Sequence, residues 1–291
     1  MFEALAPEIA FSLFVQSFSS ASLDAFFSVI TQLGNPALWV AVSAALYWKG
    51  EEKKSFFLAA AVLFSAALVG ILKPVLGRLR PPDETFRVLA AETDSMYSLP
   101  SGHAATIASV FGYAWEKVKP KARIAGLAIV LLALLSRVYL GAHYIGDVAV
   151  GALFGFLIGW LVHVLEQKFT KIKIGQKKML EEAGLIVAVA LSITVSFALR
   201  SLALASGLFG FFAGIFGFKL LDMDSSKLSG KKLFLKEIIG FAGLGLIIFA
   251  AQLEAIEPEA YFLAGAWISF IYPLLYEKFL HKTVSRAKVL A

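Results

Sequence analysis

The chain has 291 residues, of which 59% are hydrophobic and 16% are charged, with a mean hydropathy of +0.77. Soluble domains are about half apolar and about a quarter charged, so this composition excludes an ordinary soluble globular domain and a disordered chain. The sequence contains no cysteine, which excludes disulfides, thiolate metal sites and cysteine nucleophiles. The basic residues behind the net charge of +6 lie in the gaps between apolar runs, so nucleic acid is not an expected partner.

Long apolar segments predict an all-α, polytopic membrane bundle of about nine transmembrane helices, since one span needs about 20 apolar residues. Residues 1–25 contain Glu3 and Glu8 but no basic residue, so they are not typical of a secretory signal and are expected to lie along the bilayer surface. A kink is expected at Gly34-Asn35-Pro36 in the first span. The predicted spans are residues 26–48, 56–72, 101–115, 122–140, 145–165, 184–200, 202–220, 238–252 and 260–279.

The basic residues predict which side of the membrane each loop faces, because Lys and Arg accumulate on cytoplasmic loops. With the N-terminus outside and the C-terminus inside, all but six of the 27 basic residues fall on inner loops. The exceptions are Lys73, Arg78, Arg80, Arg87, Arg137 and Arg200. Five of them cluster on two outer loops, where basic residues are otherwise disfavoured, and such a cluster indicates a bound anion. Arg78 and Arg87 are expected only to help recruit anions, and Arg200 only to anchor a turn.

Two parts of the first long outer loop supply groups that favour a phosphate. The stretch KPVLGRLRP places Lys73 at the end of the second span and Arg80 seven positions later. The stretch LPSGH, which includes Ser101, Gly102 and His103, opens the third span. A helix that begins in this way presents backbone N–H groups without helical partners at the positive end of its dipole, which is a favourable place for a phosphate.

A third element, SRVYLGAHYIGD, lies at the turn between the fourth and fifth spans and contains Arg137, His143 and Asp147. If the fifth span begins near His143, then His143 and Asp147 occupy positions i and i+4 on one helix face. A carboxylate bonded to one imidazole nitrogen leaves the other nitrogen with a lone pair, which makes the imidazole a candidate nucleophile. Taken singly, each of these residues can also be an ordinary helix-end or interfacial group. Their joint occurrence favours a site.

The three elements carry a resemblance to a known family. Lys73-x6-Arg80-Pro81, Pro100-Ser101-Gly102-His103 and Ser136-Arg137-x5-His143-x3-Asp147 resemble the three-part signature of the type-2 phosphatidic acid phosphatase superfamily. That superfamily includes vanadium haloperoxidases, glucose-6-phosphatase and bacterial undecaprenyl-diphosphate phosphatases. The resemblance covers about half of the chain. The predicted organisation is an interfacial segment over residues 1–25, a catalytic transmembrane bundle over 26–167 that carries the resemblance, and a C-terminal transmembrane extension of unknown role over 168–291.

The resemblance also implies a mechanism that uses neither a metal nor another cofactor. His143 attacks phosphorus and forms a phosphohistidine, Asp147 orients His143, and His103 protonates the leaving oxygen and then activates water. The implied phosphate-binding groups are the side chains of Lys73, Arg80, Arg137 and Ser101 and the backbone N–H of Gly102.

The resemblance says little about the organic part of the substrate. The expected substrate is a lipid phosphomonoester or diphosphate, with a polyprenyl diphosphate favoured, and the expected site faces the extracytoplasmic side of a multi-pass protein of the cell membrane, among membrane lipids. The acidic residues of the outer loop, Glu84, Glu92 and Asp94, either contact a headgroup or are simply solvated. Two alternatives stay open: a phosphatase for a soluble ester such as a sugar phosphate, and a non-catalytic lipid or anion transporter. The oligomeric state is left open.

Overall fold

A computed structural model describes residues 2–90, 95–170, 202–221, 223, 226–252 and 256–280. These residues form helices, and the only strand-like feature among them is an isolated antiparallel bridge between Leu79 and Tyr97. The α-helices are α1 (Ala6–Gln16), α2 (Ala21–Ile30), α3 (Pro36–Trp48), α4 (Glu52–Leu76), α5 (Gly102–Ala114), α6 (Pro120–Tyr139), α7 (Ile145–Thr170), α8 (Leu202–Leu220), α9 (Gly230–Ala250), α10 (Glu257–Ala266) and α11 (Tyr272–Leu275). Short 3₁₀ and π segments are Thr31–Gly34, Trp115–Lys117, Trp267–Ile271 and Tyr276–Leu280.

Four of the described helices are long and apolar enough to cross a membrane: α4, α6, α7 and α9. The helical segments Ala6–Gln16 and Ala21–Gly34 meet at 117° and would add a fifth span if they count as one broken span. The described part of the chain is therefore all-helical, and the protein is an integral membrane protein. The count of nine and the orientation of the termini stay predictions, and the expected span 184–200 lies outside the described residues.

Three predicted spans differ in detail from the helices observed. The third is the 13-residue α5, which at 1.5 Å per residue is about 20 Å long and shorter than the hydrocarbon layer of about 30 Å. The first is interrupted at the expected kink, where a 3₁₀ turn ends at Gly34 and α3 begins at Pro36. The eighth begins at Gly230 instead of residue 238, because three lysines assigned to the inner loop belong to the helix. These lysines are Lys231, Lys232 and Lys236.

The described helices group into two compact units, one made of Met1–Val40 and Phe57–Thr170 and the other of Ala41–Phe56 and Lys171–Ala291. In the first unit α5 packs along α7 through three glycines of α7 at four-residue spacing, which are Gly151, Gly155 and Gly159. A Cβ atom on any of them would collide with a backbone carbonyl of α5 or its N-cap. Small residues at this spacing let two helices approach closely in a membrane. This packing holds the N-terminal end of α5 beside the start of α7.

The N-terminal helices of the first unit are bonded to the loops that follow α4 and α6. Gln16 donates through Nε2 to the carbonyl oxygens of Arg87 (2.9 Å) and Tyr139 (3.1 Å), and it accepts a bond from the N–H of Arg87 (3.1 Å). The hydroxyl of Tyr139 donates to Asp24 over 2.7 Å. Helices α1 and α2 therefore fasten the two loops from which the basic residues of the predicted outer cluster come.

The second unit packs around glycines and aromatic rings. A Cβ on Gly210 or Gly265 would collide with the facing backbone between α8 and α10. The indole of Trp48 donates to the carbonyl oxygen of Ile268 over 2.9 Å. Lys236 is fully buried and pairs with Glu277 at 3.0 Å. A buried charge in an apolar bundle needs such a partner.

Candidate active site

The predicted site residues lie at one end of the bundle in the first unit, where α4 and α6 end and α5 and α7 begin. Lys73 is in the last turn of α4, Ser101 caps α5, Arg137 is in the last turn of α6, and His143 lies two residues before the start of α7. The backbone N–H of Ser101 donates to the carbonyl oxygen of Asp147 over 3.0 Å, which ties the start of α5 to the first turn of α7. The structure thus brings the three sequence elements to one place.

Arg80 makes the direct contact between the first and third elements. Its Nη1 atom lies 3.3 Å from Nε2 of His143 and donates to the carbonyl oxygen of Ala142 over 2.9 Å. Its Nε donates to the carbonyl oxygen of Ser95 over 2.8 Å. Lys73 donates in the same way to the carbonyl oxygen of Tyr97 over 2.9 Å. Both cations therefore also hold the segment that leads into α5.

The start of α5 carries the second element. The buried hydroxyl oxygen of Ser101 accepts a long N-cap bond from the N–H of Ala104 (3.5 Å), which leaves its own O–H able to donate elsewhere. Gly102 is the first residue of α5, where backbone N–H groups lack helical partners. His103 is half-buried and packs against Gly34, since a Cβ on that glycine would lie 2.8 Å from the Cβ of His103.

Arg137 is held by a residue that the sequence analysis did not single out. Its guanidinium is buried, and Nη1 donates to Oγ1 of Thr31 over 2.6 Å. Thr31 begins the 3₁₀ turn that replaces the middle of the predicted first span. A hydroxyl beside a kink in an apolar run is the only sequence signal for this contact, and it does not identify the partner.

His143 is completely buried, with 0% of its surface exposed. Burial, the largest cause, and the positive charges of Arg137, Arg80 and Lys73 hold the pKa of His143 well below its ordinary value. Protonated His103 acts in the same direction more weakly. At neutral pH the imidazole is therefore neutral and keeps a lone pair on one nitrogen, as a nucleophile requires.

Asp147 is buried with His143, and its carboxylate contacts four groups, one of which is the side chain of Ser98. Its Oδ2 atom lies 3.6 Å from Nδ1 of His143, which is longer than a hydrogen bond, and accepts the backbone N–H of Tyr144 over 2.9 Å. Its Oδ1 atom lies 3.1 Å from Nη1 of Arg78. The direct ionic partner of Asp147 is thus Arg78, and His143 is a neighbour at electrostatic distance.

Arg78 and Arg87 were expected only to recruit anions, and the structure places both in ion pairs instead. Arg78 is 5% exposed and pairs with Glu8 of α1 as well as with Asp147. Arg87 pairs with Asp24 of α2. Side chains two positions apart in an extended segment point to the same side, so alternation along the chain does not separate Arg78 from Arg80. Arg200, Glu92 and Asp94 lie outside the described residues.

Comparisons with known proteins bear on the same region. The sequence profile of the PAP2 superfamily matches residues 54–171, a range that contains every predicted site residue. The chain is 32% identical over 146 residues to the undecaprenyl-diphosphatase of Sulfolobus acidocaldarius, covering 48% of this chain and 69% of that protein. This chain belongs to the PAP2 superfamily.

The chain also matches other curated proteins and a solved structure. The lipid A 1-phosphatase of Rhizobium etli is 28% identical over 156 residues, covering 45% of this chain and 65% of the relative. The match to lipid phosphate phosphatase delta of Arabidopsis thaliana covers 38% of that protein. Among solved structures, the transmembrane PAP2-type phosphatidylglycerolphosphate phosphatase from Bacillus subtilis is similar with a TM-score of 0.51 and 26% identity, covering 58% of this chain and 88% of that one. The PAP2 profile ends at residue 171.

Proposed function

We propose that this PAP2 protein is a membrane phosphatase that removes phosphate from a lipid phosphomonoester or diphosphate through a phosphohistidine on His143. The observation that carries the proposal is a buried, neutral imidazole whose Nε2 atom faces Arg80 and whose pKa is lowered by burial and by three neighbouring cations. Fixed cations around a nucleophile neutralise the charge on the equatorial oxygens in phosphoryl transfer. The named relatives act on phosphorylated lipids, which supports a lipid substrate here.

The chemistry proceeds in two displacements. In the first, the lone pair on Nε2 of His143 forms a bond to phosphorus, the bond between phosphorus and the leaving oxygen breaks, and protonated His103 gives its proton to that oxygen. In the second, His103 takes a proton from water, the resulting hydroxide attacks phosphorus, and the N–P bond breaks. Inorganic phosphate leaves and His143 returns to its neutral form. Asp147 stabilises the positive charge on the ring while the N–P bond exists.

Lys73, Arg80 and Arg137 supply the positive charge that this mechanism needs, so we expect no requirement for a divalent cation. The hydroxyl of Ser101 and the N–H of Gly102 add hydrogen bonds to the phosphate at the start of α5. Polyprenyl diphosphate is the favoured substrate, because the relative with 32% identity and 69% coverage is an undecaprenyl-diphosphatase. A site at the ends of membrane helices suits a substrate whose phosphate stays in water while its tail stays in lipid.

The deciding assay measures phosphate release by purified protein in detergent with EDTA present. The panel contains a polyprenyl diphosphate, a phosphatidic acid and glucose 6-phosphate, and His143→Ala is the control. We expect release from the lipids that EDTA does not reduce and that the variant lacks. Faster release from glucose 6-phosphate would favour a soluble ester, and failure of ³²P-labelled substrate to label His143 would favour a non-catalytic carrier.

We place the site on the extracytoplasmic face of the cell membrane, as the distribution of basic residues predicts. The chain lacks cysteine, so single cysteines report sidedness without further changes. In intact cells, a membrane-impermeant maleimide should label Asp83→Cys, an exposed position in the loop after α4. It should label the exposed position Lys119→Cys only after permeabilisation. The reverse pattern would place the site in the cytoplasm.

A further inference from the structure

A buried chain of charges joins the N-terminal helix to the first turn of α7. Arg78 lies between two carboxylates: its Nη2 atom pairs with Glu8 of α1, and its Nη1 atom lies 3.1 Å from Oδ1 of Asp147. The side chains of Arg78, Glu8 and Asp147 are 6%, 12% and 0% exposed. The Arg78 guanidinium also lies over the ring of Tyr144, with its Cζ atom 4.9 Å from the centroid. Such a buried group is fixed in position on both sides.

The two oxygens of Asp147 have different partners, and this division orients the carboxylate. Oδ1 points to Arg78, while Oδ2 accepts the N–H of Tyr144 and lies 3.6 Å from Nδ1 of His143. Because the contact with His143 is too long for a hydrogen bond, the ring cannot by itself hold the carboxylate in place. Arg78 supplies the ionic contact with the carboxylate, next to a hydrogen bond from the side chain of Ser98.

The partner of Arg78 comes from a segment that the proposed mechanism does not use. Glu8 also accepts the backbone N–H of Leu5, the N-cap residue of α1, over 2.7 Å. A Cβ atom on Gly146 would collide with the Glu8 carboxylate, so the absence of a side chain at Gly146 gives α1 access to the start of α7. A carboxylate at a helix N-terminus is also favoured by the helix dipole.

We propose that Arg78 is a positioning residue of the reaction: it holds Asp147 in the orientation that keeps the Nδ1 atom of His143 protonated and Nε2 available for attack, while Glu8 holds Arg78. The N-terminal helix α1 is thereby part of the catalytic apparatus. This inference rests on the proposed phosphatase function. Arg78 touches no reacting atom, so its effect passes entirely through Asp147.

The test compares kcat and KM for Arg78→Gln, Arg78→Lys and Asp147→Asn, with Arg87→Gln as the matched control. Arg87 also joins the N-terminal helices to the same loop, but its partner is Asp24. We expect Arg78→Gln to lower kcat about 100-fold, because a misplaced nucleophile costs about that much, and to change KM less than threefold (order-of-magnitude values). Arg78→Lys keeps the charge but cannot bridge two carboxylates as a guanidinium does, so its kcat lies in between. Arg87→Gln changes kcat less than about twofold, in line with a salt bridge that is partly exposed.

Two further measurements separate positioning from folding. Added to Asp147→Asn, the Arg78→Gln change is expected to cost no further kcat, whereas a structural role would lower kcat again. In protein with ¹⁵N-labelled histidine, the His143 ring should carry its proton on Nδ1, and Arg78→Gln should shift protons to Nε2. The chain has four histidines, so the signal of His143 is assigned by its loss in His143→Ala.

The outcomes also distinguish this inference from the proposed function. A wild-type protein that releases no phosphate overturns the function, while the ¹⁵N spectrum still reports whether Arg78 sets the protonation of His143. An active wild type whose kcat and His143 tautomer are both unchanged by Arg78→Gln overturns the inference alone. Equal losses of kcat in Arg78→Gln and Arg87→Gln would assign both residues to stability only.

Discussion

Replacing Thr31 by valine tests how the structure holds Arg137 toward the phosphate. Valine has nearly the shape of threonine but lacks the hydroxyl that accepts a 2.6 Å bond from Nη1 of Arg137. Both residues are buried, at 6% and 2% exposure, so water does not replace the lost acceptor. A hydrogen bond to a charged group contributes about 1.5–3 kcal/mol. Since 1.4 kcal/mol is a factor of ten, kcat/KM should fall roughly 10- to 150-fold.

The assay is the initial rate of phosphate release from a polyprenyl diphosphate in detergent, with competition by inorganic phosphate as a second readout. Thr31→Val should weaken both phosphate inhibition and kcat/KM. Thr31→Ser keeps the hydroxyl and should remain within about threefold of wild type on both, a margin below 1 kcal/mol. The reasoning is refuted if the valine variant keeps wild-type kcat/KM, or if the serine variant loses as much as the valine variant while its thermal unfolding is normal.

Three further predictions concern stability in detergent. Because the pKa of His143 is lowered on folding, the unfolded chain binds more protons than the folded chain below about pH 6.5. The unfolding temperature should therefore decrease as the pH is lowered below that value. The decrease should be less steep in His143→Asn. Gly155→Ala should cost about 1–3 kcal/mol by overpacking α5 against α7, whereas Gly245→Ala, in open space on α9, should cost nothing in thermal melts. Glu277→Leu alone should lower the free energy of unfolding by about 3–5 kcal/mol, because it leaves the buried charge of Lys236 without its carboxylate partner. The double variant Glu277→Leu, Lys236→Met should lose less, and equal losses would contradict this reasoning.

The meeting of the three sequence elements was predictable because of how successive membrane helices alternate in direction. Lys73 and Arg137 end apolar runs, while His103 and Asp147 begin them, so a bundle of antiparallel neighbours brings all four to the same end. The pairing of α5 with α7 has its own signal in the glycines at four-residue spacing. Topology therefore predicts that these residues meet at one end of the bundle, while their assignment as a site also depends on the resemblance of the three motifs to those of the family.

The partners that hold the site residues were not predictable in the same way. Thr31 and Arg137 are 106 positions apart, and Glu8 and Arg78 are 70 apart. Nothing local in the sequence specifies either contact, since both depend on how α1, α2 and the 3₁₀ turn fold over the loops. The start of α9 was missed for a related reason. Lys236 was assigned to a loop by its charge, although a partner far along the chain allows that charge to be buried in the helix.

The acidic residues of the N-terminal segment give a physical reason for the surplus of cations at the predicted outer face. Arg78, Arg80 and Arg87 share one loop, yet the structure pairs the first with Glu8 and the last with Asp24. A guanidinium without a carboxylate would attract any anionic headgroup, because surface charge recruits counter-ions without regard to their shape. Pairing Arg78 and Arg87 removes two such attractions, while Arg80 stays within 3.3 Å of the His143 ring. A chain lacking its N-terminal helices would therefore carry two guanidinium groups that compete with the site for the same phosphate.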